Sequence, residues 1–173
     1  MKPRTLIFTG EGKGKTTAAF GMVLRAAGHD QRVLVVQFLK SNTATGELLA
    51  CAQLPQVEVV QLGRGFVPPR EHPAFADHRA TANEALSVAT EAVVSGKYDL
   101  IVLDEICGAI GRELIEEDAV IELLVDPKRT ACMVLTGRHA NPRLMDQADT
   151  VTEMRCISHG YTQGINAQEG VEF

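Results

Sequence analysis

The chain has 173 residues, 45% of them hydrophobic and 23% charged, enough for one globular domain with a sizeable core and short of two. Its formal net charge of −5 argues against a broad polyanion-binding surface, because nucleic-acid binders carry a basic excess that replaces released counterions. No apolar run reaches the ~18 residues of a membrane span, and Met1 to Thr9 has no signal-peptide pattern, so a cytoplasmic protein engaging neither membrane nor nucleic acid is expected.

In chain order, Thr5 to Phe8 reads as a short strand running into Thr9-Gly10-Glu11-Gly12-Lys13-Gly14-Lys15-Thr16-Thr17, and Ala18 to Ala27 as a helix closed by Gly28. Arg32 to Leu39, Val57 to Leu62, Leu100 to Asp104 and Met133 to Thr136 are apolar runs of the kind that form parallel strands buried on both faces. Helical stretches lie between them: Glu47 to Gln53, Ala74 to Ser95, Glu117 to Leu124 and Pro142 to Ala148. This alternation implies an α/β domain with a mostly parallel central sheet, helices on both faces, and a ligand site at the carboxyl ends of the strands. Two stretches break the rhythm, Gly63 to His72 and the tail from Cys156 to Phe173; such segments either close over ligands or merely connect at the surface. Cys51, Cys107, Cys132 and Cys156 are scattered without a Cys-x-x-Cys pair, and the histidines are equally dispersed, so reduced thiols and no structural metal site are expected.

Gly14-Lys15-Thr16 is the core of a phosphate-binding loop, set between a strand and a helix as the motif requires. Gly10, Gly12 and Gly14 are expected to let the backbone turn and present N–H groups to phosphate oxygens, with the positive end of the following helix adding to them. Lys15 supplies a mobile cation and Thr16 a hydroxyl suited to Mg²⁺. The usual pattern places its first glycine five residues before Gly14, where this chain has Thr9. An apolar strand ending in Asp104-Glu105 supplies the carboxylates that a magnesium ion shares with the threonine and the phosphates. Arg138, directly after a strand, falls on the same sheet edge and suits a phosphate clamp or a salt bridge; Arg25, ten residues after Lys15, reads by itself as a solvated helix residue.

Five ordered segments resemble the P-loop cob(I)alamin (corrinoid) adenosyltransferases: Thr9 to Gly21, Gln37-Phe38-Leu39-Lys40, Gly65-Phe66, Tyr98 to Glu105, and Leu135-Thr136-Gly137-Arg138. The ending, Ala148 to Met154 followed by Gly164 to Phe173, is similar to the family's closing pattern. The resemblance implies a three-layer P-loop NTPase-like (RecA-like) fold and a reaction in which a reduced corrinoid attacks the 5′ carbon of ATP, forming a cobalt–carbon bond and releasing triphosphate. It also implies Mg²⁺, with Mn²⁺ as a substitute, a homodimer, and a reduced, flavodoxin-like flavoprotein as electron donor.

On the same resemblance Gly10, Glu11, Gly12, Lys13, Gly14, Lys15, Thr16, Thr17, Arg25 and Arg138 contact the nucleotide, with Glu11 near ribose or base. Thr16, Glu105 and Asp104 position the metal, and Phe66 is the wedge that displaces the lower axial ligand of cobalt. The chain departs from the pattern at Val67-Pro68-Pro69-Arg70, where a second aromatic is expected, and at Ile106 to Ile110 after the acidic pair. It begins almost at the first strand, without the N-terminal extension some members use to cover the corrinoid. Two other classes fit the motif alone: an ATPase or kinase in which Glu105 activates water or an acceptor, and a non-catalytic nucleotide- or corrinoid-binding module.

Overall fold

The computed structural model describes residues 2–172; Met1 and the terminal Phe173 of the closing pattern lie outside them. Six strands, β1 (Thr5–Thr9), β2 (Val33–Gln37), β3 (Val57–Gln61), β4 (Leu100–Asp104), β5 (Cys132–Thr136) and β6 (Thr150–Glu153), form one parallel sheet in the order β3-β2-β4-β5-β1-β6. The helices are α1 (Lys15–Ala27), α2 (Gly46–Cys51), α3 (Phe75–Ser95), α4 (Ile106–Gly111), α5 (Glu117–Val125) and α6 (Pro142–Met145).

The period-2 geometry of the strands divides the core. Leu34, Val36, Ile101 and Leu103 face a cluster completed by α3, α4 and α5, while Val33, Val35, Leu100 and Val102 face the cluster of Ala19, Phe20 and Val23 from α1. Alanines at 82, 85, 89 and 92 give α3 a thin buried stripe that lets it lie close to the sheet. These are the three layers expected from the alternating pattern.

Three local readings differ. Strand β3 is an edge strand with Glu58 exposed, not one buried on both faces, because only β2 pairs with it. The short exposed β6 and the six-residue α4 escape the hydrophobic pattern, the first because it has no apolar stripe and the second because it is buried all round. The carboxyl ends of β1, β2, β4 and β5 meet at one edge, where the register sets Gln37 beside Asp104 and Phe8 beside Thr136.

Candidate active site

Residues 10–14 turn from β1 into α1. Gly14, the residue before α1, has φ of 106°, a left-handed value that side chains rarely adopt. Gly12 is needed for space: a Cβ there would stand 2.7 Å from the Met154 carbonyl oxygen. The Gly12 N–H donates to that oxygen at 2.6 Å. The segment leaving β6 therefore braces the loop, and the Gly12 amide is committed to it instead of being offered to a phosphate, which corrects the expectation for all three glycines. The first turn of α1, Lys15-Thr16-Thr17-Ala18, has no acid to compete with a bound anion, and its N–H groups are the natural donors.

Lys15 is 8% exposed and its Nζ donates to the carbonyls of Gly10 at 2.8 Å and Gly12 at 2.7 Å. Burial holds its pKa below the ordinary lysine value; nearby Glu105 opposes that shift and Arg138 adds to it. An arriving polyanion would favour the charged form and offer the ammonium better acceptors than two carbonyls.

Asp104 is fully buried and accepts three side-chain hydrogen bonds beside one ion pair. Its Oδ1 takes the hydroxyls of Thr16 at 2.9 Å and Thr136 at 2.8 Å. Its Oδ2 takes Gln37 Nε2 at 2.9 Å and Lys40 Nζ at 3.0 Å. Lys40 Nζ also donates to Thr16 Oγ1 at 3.0 Å, so an ammonium bridges the threonine hydroxyl and the acid. A buried carboxylate without such partners would be severely destabilising.

Glu105 follows with φ of 66°, a left-handed conformation held by its N–H donating to Thr136 Oγ1 at 2.9 Å. Its carboxyl is pushed above the usual carboxylate range, first by burial and then by the charge of Asp104, while Lys40, Lys15 and Arg112 oppose the shift. A hydroxyl and two carboxylates form an oxygen donor set that fits a hard divalent cation completed by phosphates, and the Lys40 ammonium resting between two of these oxygens shows that the place suits positive charge. Among the described residues no cluster of three or more His, Cys, Asp or Glu could hold a metal ion.

These groups border a cavity of about 260 Å³ whose wall brings together Glu11 to Thr17, Lys40, Glu105 and Arg138, with His159 and Glu172 from the tail. Glu11 pairs with Arg138 at 3.4 Å and with His139 Nε2 at 3.1 Å. Lys13 pairs with Glu172 at 2.6 Å, which puts the tail on the rim and makes it more than a surface connection. Arg25 is not brought to this wall. It is exposed in the last turn of α1, ten residues and about 15 Å beyond Lys15.

Phe66 lies elsewhere, 92% exposed, on a cavity of about 430 Å³ with Val67, Pro68, Pro69, Phe75 and Arg112 among its lining. It is not tucked into the core. One short helix connects the two places: Glu105 precedes α4 at the loop cavity, and Gly111 and Arg112 at its other end line the Phe66 cavity.

Sequence reasoning left Gln37, Lys40 and Thr136 without roles. The available signal was a polar residue closing an otherwise apolar strand, Gln37 after Val33 to Val36 and Thr136 after Met133 to Leu135. Nothing local marks Lys40, whose partner Asp104 is 64 residues away and reached only through sheet register.

The family model for ATP:corrinoid adenosyltransferases of the BtuR/CobO/CobP type matches residues 1–173. A corrinoid adenosyltransferase of Pseudomonas aeruginosa is 39% identical over 97% of this chain and 82% of its own length. Its counterpart in Escherichia coli K12 is 31% identical over 97% of this chain and 84% of its own. Among solved structures, the flagellar accessory protein FlaH of Methanocaldococcus jannaschii superposes with a TM-score of 0.57 at 14% identity, covering 87% of this chain and 70% of that one. The cytoplasmic domain of EssC gives 0.54 at 18% identity, covering 96% of this chain and 34% of that one. The structural likenesses speak to the P-loop NTPase-like fold alone. With the whole chain matched by the family model and closely covered by its curated relatives, the protein belongs to the ATP:corrinoid adenosyltransferase family, enzymes that adenosylate corrinoids.

Proposed function

We propose that this enzyme transfers the 5′-deoxyadenosyl group of ATP to the Co(I) centre of a reduced corrinoid, complete cobalamin or a biosynthetic precursor, and releases triphosphate. The observation that carries the reading is the pairing of two unlike sites through α4: a polar phosphate loop with two acids at one end, and an aromatic, proline-lined ledge at the other. An ATPase needs only the first.

In this reading Lys15 leaves its two loop carbonyls and, with the first-turn N–H groups of α1, meets the charge that grows on the departing triphosphate. Thr16 and Glu105, with Asp104 behind them, hold Mg²⁺ or Mn²⁺, which supplies further positive charge to the same oxygens when bound. Thr136 fixes both acids, one through its hydroxyl proton and the other through the Glu105 N–H it accepts. No general base is required, because the reduced cobalt of the substrate is itself the nucleophile. Glu11, Arg138 and His139 form a polar group on the rim suited to ribose or base. Phe66 wedges beneath the corrin, where an exposed aromatic displaces the lower ligand and eases reduction of Co(II).

We place the enzyme in the cytoplasm as a single-domain subunit of a homodimer served by a reduced flavoprotein; no helix among the described residues is long and apolar enough to cross a membrane. ATP consumption measured with and without cob(I)alamin tests the proposal. Consumption that requires the corrinoid supports it, whereas phosphate release at the same rate without corrinoid contradicts it.

A further inference from the structure

Lys40 has no part in the chemistry described so far, yet its ammonium lies between two oxygens of the metal seat. It lies 3.0 Å from Thr16 Oγ1 and 3.0 Å from Asp104 Oδ2. The Thr16 hydroxyl gives its proton to Asp104 Oδ1, so the lone pair engaged by Lys40 is one that a metal ion would use. On the acid, the three hydrogen-bond donors, Thr16, Thr136 and Gln37, are fixed by strand or helix backbone, and Lys40 is the ion-pair partner. Lys40 follows the end of β2 on a long flexible stem, its side chain is 34% exposed, and it lines the cavity. It is the partner able to leave.

A divalent cation and an ammonium cannot share these oxygens, since like charges at such separation repel strongly in a partly buried site. We propose that Lys40 is an exchangeable counter-ion: it neutralises Asp104 and holds the threonine hydroxyl until the divalent cation arrives, then swings into the cavity and delivers its charge to the triphosphate. The exchange keeps a buried carboxylate partnered at every stage and turns the displaced cation into a phosphate ligand. The inference rests on Thr16, Asp104 and Glu105 forming the metal seat of the proposed function, and does not depend on which bond of ATP is broken.

Two measurements on the full chain test it. Mn²⁺ alone, followed by the electron paramagnetic resonance of the free ion, should bind Lys40→Met at least about tenfold more tightly than wild type. Inorganic triphosphate without metal should bind the same variant about tenfold more weakly. Unchanged affinity for both probes overturns the proposal. Where the variant fails to fold, amine acetylation of the wild type read by peptide mass spectrometry decides. Lys40 should become more reactive with Mn²⁺ alone and less reactive than at the start with Mn²⁺ and ATP; reactivity indifferent to Mn²⁺ overturns the exchange. A protein that performs this exchange but yields ADP keeps the inference and loses the adenosyl transfer. One that yields adenosylated corrinoid with Lys40 unmoved does the reverse.

Discussion

The phosphate-loop end and the Phe66 ledge are built on opposite principles. At the loop, Lys15, Asp104 and Thr136 are each less than one-tenth exposed and hold hydrogen-bond partners, whereas Phe66 is 92% exposed among prolines. A growing triphosphate charge is best met by groups in place before the chemical step, so any movement of Lys15 or Lys40 belongs to binding and adds nothing to the barrier. A large flat ligand needs instead an apolar surface left open for it, and stiff prolines hold that surface without filling it. In the proposed reading the carboxylates and the helix N–H groups are fixed before substrate arrives and only the ends of Lys15 and Lys40 move, whereas the apolar surface at Phe66 is completed by the macrocycle itself.

The sharpest way to break this comparison is Lys15→Ala. It should lower kcat by about 10³-fold through lost stabilisation of the leaving triphosphate. KM for the corrinoid should change little in the same steady-state experiment, and a parallel rise in that KM would mean the two ends are not independent.

Glu105→Gln comes next, with a fall in turnover of about 100-fold from a weakened metal seat. Its stability should move the other way. Because burial and Asp104 raise the Glu105 pKa above 4.5, the neutral carboxyl is the form that folding favours, and the contribution is lost as pH rises through the folded value. Thermal melts should therefore place the variant above wild type at neutral pH and beyond, with the gain vanishing below pH 4.5. A variant that melts lower at neutral pH would show that Glu105 is held by attraction and not kept under strain.

Thr136→Val should act on both acids at once. It removes a donor from Asp104 and the acceptor of the Glu105 N–H, at a cost of about 2 kcal/mol in denaturant unfolding and about tenfold in turnover. A loss of stability without loss of turnover would confine Thr136 to the fold.

On the ledge, Phe66→Ala should leave stability within about 0.5 kcal/mol of wild type, because the ring buries almost nothing. Turnover from Co(II) with a reductant should fall about tenfold, while transfer to preformed Co(I) falls less. Equal losses in the two assays would remove the wedge from the account.

How much of this was legible in the sequence follows the same division. Strand cores such as Leu100 to Asp104 declare themselves by composition, and Gly14-Lys15-Thr16 declares the loop, because both signals are local. The partners of Asp104 do not. Gln37, Lys40 and Thr136 meet it through the β2-β4-β5 register, which no window of sequence contains. Gly12 reads as a phosphate donor until Met154, more than a hundred residues later, is found bonded to its N–H. Arg25 and Lys15 share one helix, and only the helical rise places them at opposite ends of it. Phe66 gave the reverse case, where a motif position named a side chain whose exposure became visible only in three dimensions.

The most direct test of the central claim is to mix the enzyme with Mg-ATP and chemically reduced cob(I)alamin, follow the corrinoid spectrum, and resolve the phosphate products by ³¹P NMR. The account predicts adenosylcobalamin and intact triphosphate in equal amounts; ADP and inorganic phosphate, with the corrinoid unaltered, would contradict it.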